Sequence, residues 1–220
     1  MMKNNFTAFT LAEVLITLLI IGVVSSLVIP ALINDTQKQE YVVALQKSYA
    51  ELSQATKLLI VENGGDLSYS VFGHGVSSHD LNEFANKLSV TKRCYGTTGC
   101  WHSDPIKWLN GTYSGYDPDG GYNNAILNNG ITISVAEYGA SCTTSRGTGP
   151  LESSVCGYMI VDVNGTKGPN TFGRDEYMFW ITKTGLYPFG IDYATSFTNC
   201  TTAYGDGCAA KVLKEGKMNY

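Results

Sequence analysis

The sequence predicts an α+β protein: a long N-terminal helix, apolar enough in its first half to span a membrane, packed through its second half on a small antiparallel β-sheet with disulfide-tied loops. Three observations carry that reading. Residues Val14 to Ile29 contain no charged side chain. From Gln37 to Val61, apolar residues recur at alternating spacings of three and four. After Asp66 the texture changes to Gly, Asn, Tyr and Thr, with short apolar runs between turn-forming clusters. A chain of 220 residues, 44% of them apolar, suffices for one folded domain plus an appendage and is too apolar for global disorder. Lys and Arg number 15 against 19 Asp and Glu, so the net charge of −4 leaves no basic excess to neutralise phosphates, and no nucleic-acid partner is expected.

The first element is Leu11 to Ile33, LAEVLITLLIIGVVSSLVIPALI. With its flanks it reaches the ~20 residues needed to cross a bilayer. A polar leader, MMKNNFTA, precedes it with Lys3 as its positive side chain, and NDTQKQE (Asn34 to Glu40) follows. A secretory signal has an apolar core of roughly 7–15 residues and then a small-residue cleavage site. Here the core is longer, and the small residue, Ala8, lies before it. A cut at that point removes the leader and leaves the helix on the protein. Glu13 stands inside the apolar span, where a carboxylate costs roughly 2.5–3.5 kcal/mol at the helix centre and needs a partner. Pro30 lacks a backbone donor and clashes with the preceding turn, so it is expected to kink or locally melt the helix.

Ala8-Phe9-Thr10-Leu11-Ala12-Glu13-Val14-Leu15-Ile16 resembles the N-terminal motif of type IV prepilins, the family of type IV pilins and type II secretion pseudopilins. The likeness continues through Gly22 and Pro30, where many members carry a helix-softening Gly and Pro; at Ala8 the family usually has Gly. The resemblance implies residues 1–8 as leader, cleavage between Ala8 and Phe9 by a prepilin peptidase, and N-methylation of Phe9. It implies residues 9–33 as membrane and filament-core helix, with Glu13 meeting the new α-amino group of a neighbouring subunit's Phe9 and setting register. Expected partners are other pilins, an assembly ATPase and an inner-membrane platform protein. The expected location is the inner membrane, with the C-terminal domain outside, and then a filament in the periplasm or at the cell surface. The rival reading is a membrane-anchored extracytoplasmic binding module whose helix is only a tether.

Residues 34–62 read as the amphipathic continuation of the helix. Val42, Leu45, Tyr49, Leu52 and Leu59 form its stripe, Ala55 and Thr56 fill the gap, and Asn63-Gly64-Gly65 supplies the stop. Residues 66–220 form the expected globular domain. Leu81 to Leu88 suggests a short helix with Asp80 as N-cap, and Asp117 to Gly121 a turn cluster. Ala125 to Leu127 and Ile131 to Val135 flank Asn128-Asn129-Gly130 as a β-hairpin. Tyr158 to Val163 is a further strand, and Tyr177 to Ile181 with Leu186 to Phe189 a last pair. The total is four or five strands, followed by a short helix ended by Gly216.

Six cysteines, at 94, 100, 142, 156, 200 and 208, contain no C-x-x-C pair and read as three disulfides made in an oxidising compartment. Fifteen connectivities exist for six cysteines; Cys94–Cys100, Cys142–Cys156 and Cys200–Cys208 close short local loops and are preferred.

Asp162-Val163-Asn164-Gly165-Thr166-Lys167-Gly168-Pro169-Asn170-Thr171-Phe172-Gly173-Arg174-Asp175 is the second distinctive segment. The oxygens of Asp162, Asn164, Asn170 and Asp175 suit a hard cation such as Ca²⁺; the alternative is a loop held by Asx-turns and an Arg174–carboxylate pair. The resemblance raises the calcium reading, since major pseudopilins use a calcium site in a C-terminal loop. Enzyme chemistry is not expected. No G-x-S-x-G, P-loop or dinucleotide fingerprint occurs, and His74 and His79 sit in a Gly/Ser segment that reads as solvated loop.

Overall fold

A computed structural model describes residues 10–69, 71–72, 77–145, 153–191, 200 and 203–220. It divides into two compact units, 1–39 and 40–220. The first helix, α1, runs over Leu11–Glu62 and belongs to both. It is helical through Gly22 and Pro30, so the chain does not stop its helix at the proline.

In the N-terminal unit, α1 is the one helix among the described residues that is long and apolar enough to cross a membrane, and none of that stretch is buried within the structure. Two of its hydroxyl groups bond back to the helix itself. Thr17 Oγ1 donates to the Val14 carbonyl at 2.9 Å, and Ser26 Oγ to the Val23 carbonyl at 2.8 Å. Those bonds give both hydroxyl protons an acceptor without water.

In the second unit, six strands form one antiparallel meander in the order β1-β2-β3-β4-β5-β6. They are β1 Val90–Tyr95, β2 Asn123–Leu127, β3 Thr132–Glu137, β4 Val155–Asp162, β5 Glu176–Thr182 and β6 Gly185–Pro188. The β2–β3 hairpin turns at Asn128-Asn129-Gly130, where Gly130 takes φ +84°, a left-handed value that costs a residue without a side chain nothing. Alternation along the strands sorts side chains to two faces. One face carries Ile133, Val135, Met159, Val161, Phe179 and Ile181, and the α1 stripe of Val42, Leu45, Leu52 and Leu59 is buried in the same cluster. Tyr49 stacks on Phe179 at 5.6 Å between ring centroids. The other face carries Tyr158, Ile160, Met178 and Trp180, covered by Trp101, Ile106, Phe172 and Phe189.

Two expectations are corrected. The sheet has six strands rather than four or five; the one missed is β1, VTKRCY, an edge strand with Thr91, Lys92 and Arg93 exposed. Charged edge residues discourage further pairing but erase the alternating pattern that announces a strand. The short helix is α2, Ser77–Asn86, so Asp80 lies in its first turn and is not the N-cap. The turn cluster at 117–121 contains a single helical turn, α3, Pro118–Gly121. The last helix is α4, Cys208–Glu215, with Gly216 as C-cap. The three disulfides have the preferred local pairing, 94–100, 142–156 and 200–208.

Candidate functional site

Two places hold the residues singled out above: the start of α1 and the loop between β4 and β5.

Ala8 and Phe9 lie outside the described residues. Thr10 is the first described residue, and with Glu13 it forms a reciprocal cap. The Thr10 backbone N–H and the Thr10 hydroxyl each donate to Glu13 Oε2 at 2.8 Å, and the Glu13 N–H donates to Thr10 Oγ1 at 3.2 Å. This is a capping box, T-x-x-E, at the mouth of an apolar helix. It satisfies helix-end donors and holds the carboxylate at the N-terminal end of the apolar span. Thr10 as the partner of Glu13 was not anticipated, although T-x-x-E ahead of an apolar run is itself a readable signal.

The β4–β5 loop gathers its acidic residues tightly. Asp162 and Glu176 stand directly opposite each other across β4 and β5, and Asp162, Asp175 and Glu176 are all fully buried. Asp175 is consumed by the loop: its Oδ2 accepts from the Asn170 N–H at 2.8 Å and Asn164 Nδ2 at 3.1 Å, and its Oδ1 from the Thr171 N–H at 2.8 Å. Asp162 Oδ1 accepts from the Asn164 N–H at 2.9 Å, the expected Asx-turn. Glu176 Oε1 accepts from Trp101 Nε1 at 3.1 Å. Asn164 Nδ2 also donates to the Tyr41 hydroxyl on α1 at 3.2 Å, which ties the loop to the helix stripe.

No N–H or hydroxyl donates to four buried oxygens, Asp162 Oδ2, Asn164 Oδ1, Asn170 Oδ1 and Glu176 Oε2; the Asp162 and Glu176 carboxyls lie within hydrogen-bonding reach of each other. Burial pushes the carboxyls of Asp162, Asp175 and Glu176 up, and for Asp162 the neighbouring Asp175 charge adds to the rise. Lys87 pairs with Glu62, and no carboxylate among the described residues lies within ion-pair distance of Arg174. Nor do three or more His, Cys, Asp or Glu side chains share a metal position among the described residues. A cation there would rest on amide oxygens as much as on carboxylates. The set is buried and all oxygen, the ligand chemistry a hard cation takes. Glu176 was missed because its place opposite Asp162 depends on strand register, which the loop sequence does not state.

His74 lies outside the described residues. His79 sits on α2, its Nδ1 3.3 Å from the Val71 carbonyl oxygen, so it belongs to a helix rather than to a solvated loop.

Asp206, beside Cys208, is a separate buried carboxyl, pushed up to about 6 by burial. The native state therefore holds this proton up to about pH 6, whereas the unfolded chain releases it near its ordinary value of about 4. Stability from this group is complete below pH ~4 and is lost as pH rises to about 6. Asp206→Asn is expected to raise the thermal midpoint at pH 7.5 and to leave it unchanged near pH 4. Equal shifts at both pH values would contradict the assignment.

Residues 3–29 match the prokaryotic N-terminal methylation motif, the prepilin-type cleavage and methylation signature of type IV pilins and pseudopilins. No curated protein and no solved structure matches the chain.

Proposed function

From that motif as premise, we propose that the chain is the precursor of a filament subunit of the pilin or pseudopilin kind, cut between Ala8 and Phe9, N-methylated on Phe9 and assembled through α1. The motif itself marks a type IV pilin-like or pseudopilin precursor, a structural class that a prepilin peptidase processes and that assembles with other pilins. The observation that carries the fuller reading is the Thr10–Glu13 box opening onto a helix whose apolar span is wholly uncovered. Lipid covers such a surface before assembly, and neighbouring copies of the same helix cover it afterwards. The Glu13 carboxylate then pairs with the α-amino group of a neighbour's Phe9.

In this reading the protein sits first in the inner membrane with residues 66–220 on the extracytoplasmic side, where disulfides form. Extraction from the bilayer needs an assembly ATPase and a platform protein. The test is N-terminal sequencing of the membrane-extracted protein. A mature chain beginning at N-methyl-Phe9 is expected; one beginning at Met1 or Met2 would leave only a tether for a binding module.

The β4–β5 loop is proposed as a calcium site, with Asp162, Asn164 and Asn170 supplying oxygens and Asp175 holding the loop in shape. The buried amide oxygens of Asn164 and Asn170, to which nothing donates, support it. Calcium added to the full chain in detergent is expected to raise its thermal midpoint and to do so less in Asp162→Asn. An unchanged midpoint removes the metal from the account.

A further inference from the structure

Among the described residues outside the β4–β5 loop cluster, Asp80 is the most deeply buried carboxyl, 1% exposed. It lies in the first turn of α2, whose Leu81, Phe84 and Ala85 are buried against the core. Both carboxyl oxygens of Asp80 are shielded from solvent, and no N–H or O–H among the described residues donates to either. A buried carboxylate in that condition is costly unless it is protonated or paired.

The elements packed against α2 are β1, β2 and β3. On β1, Arg93 is engaged by Asn82 and Asn86, Lys92 by the Gly99 carbonyl, and the Tyr95 hydroxyl by Asn82. β2 has no ionisable side chain. On α2 itself, His79 lies 4.0 Å from Glu83, and beyond its end Lys87 pairs with Glu62. The ionisable group that faces Asp80 is another acid, Glu137 at the end of β3, within hydrogen-bonding reach.

We propose that Asp80 and Glu137 share one proton, and that this proton latches α2 onto the end of β3, tightly in acid and progressively less tightly toward alkaline pH. The chemistry is a carboxyl O–H on one acid donating to a carboxylate oxygen of the other. It gives Asp80 the donor it otherwise lacks and leaves one negative charge, on the pair's more exposed side. Removing the proton places two carboxylates face to face, one of them dry. Burial, with the Glu137 charge second, pushes the Asp80 carboxyl up to about 8. With α2 lifted, the same carboxyl returns toward its ordinary value near 4. Closure therefore takes up a proton between those limits, and its equilibrium constant falls about tenfold for each pH unit up to about 8.

The test is hydrogen exchange of the α2 amides in the full chain in detergent, from pH 5 to 8, with Asp80→Asn as reference at each pH. Exchange chemistry is common to both proteins, so their ratio isolates the latch. The amide introduced by Asp80→Asn donates to Glu137 without a titrating proton. The expected result is wild-type protection falling relative to the variant by about tenfold per pH unit. A constant ratio overturns the proposal. Should Asp80→Asn fail to fold, Glu137→Gln takes its place: its amide donates to an ionised Asp80, and the pH slope is expected to flatten. A slope in Glu137→Gln equal to wild type also overturns it.

Discussion

Replacing Glu13 with Ala is expected to abolish filament formation while leaving residues 40–220 folded. Within the chain the carboxylate is held by Thr10 at 2.8 Å, through both its backbone N–H and its hydroxyl. Those bonds are local; in the proposed filament they persist, and a neighbour's α-amino group adds an opposite charge. Losing one partner of an ion pair in an apolar filament core costs about 3 kcal/mol or more, roughly a hundredfold in association. Glu13→Gln separates the charge from the cap, because the amide oxygen can still accept from Thr10. If charge pairing sets register, subunits carrying Glu13→Gln fail as those carrying Glu13→Ala do. Electron microscopy and crosslinking of membrane extracts read the outcome; filaments from Glu13→Gln at wild-type yield would reduce Glu13 to a cap.

Gly157→Ala is expected to destabilise the globular unit by about 3 kcal/mol, at the upper end of ordinary overpacking. Gly157 lies in β4, opposite Glu137 on β3 and Ile181 on β5, beside an irregularity in register at Val155/Gly157. A Cβ added there would collide with the Ala136 carbonyl oxygen and approach the Glu137 Cα at 3.2 Å. Both are backbone atoms of the next strand and cannot swing aside as a side-chain tip can. The methyl group must therefore part β3 from β4, next to the Cys142–Cys156 disulfide. Gly139→Ala is the control, since nothing lies within 4 Å of its added Cβ, and it should change stability by no more than about 0.5 kcal/mol. Denaturant midpoints of the two variants decide the matter. Equal midpoints would mean that the β3–β4 contact yields more easily than its backbone packing implies.

The apolar span and its Thr-x-x-Glu opening are legible because both are local: one is a run of composition, the other a spacing of three along one helix. The stripe of Val42, Leu45, Leu52 and Leu59 is legible for the same reason, since helical periodicity writes burial directly into sequence. The β2–β3 and β5–β6 hairpins announce themselves through turn residues, and the disulfides join cysteines only 6, 14 and 8 residues apart. What the chain cannot state by itself is anything resting on pairing at a distance. β1 is a strand only because β2 offers it an edge. Glu176 meets Asp162 through register, and Trp101 reaches Glu176 from 75 residues away. Asp80, expected as an N-cap, is buried because α2 packs on three strands that form elsewhere in the sequence. Local order follows from periodicity and turn chemistry, which neighbouring residues decide. The surroundings of a buried acid are decided by whichever strands the folded sheet brings beside it.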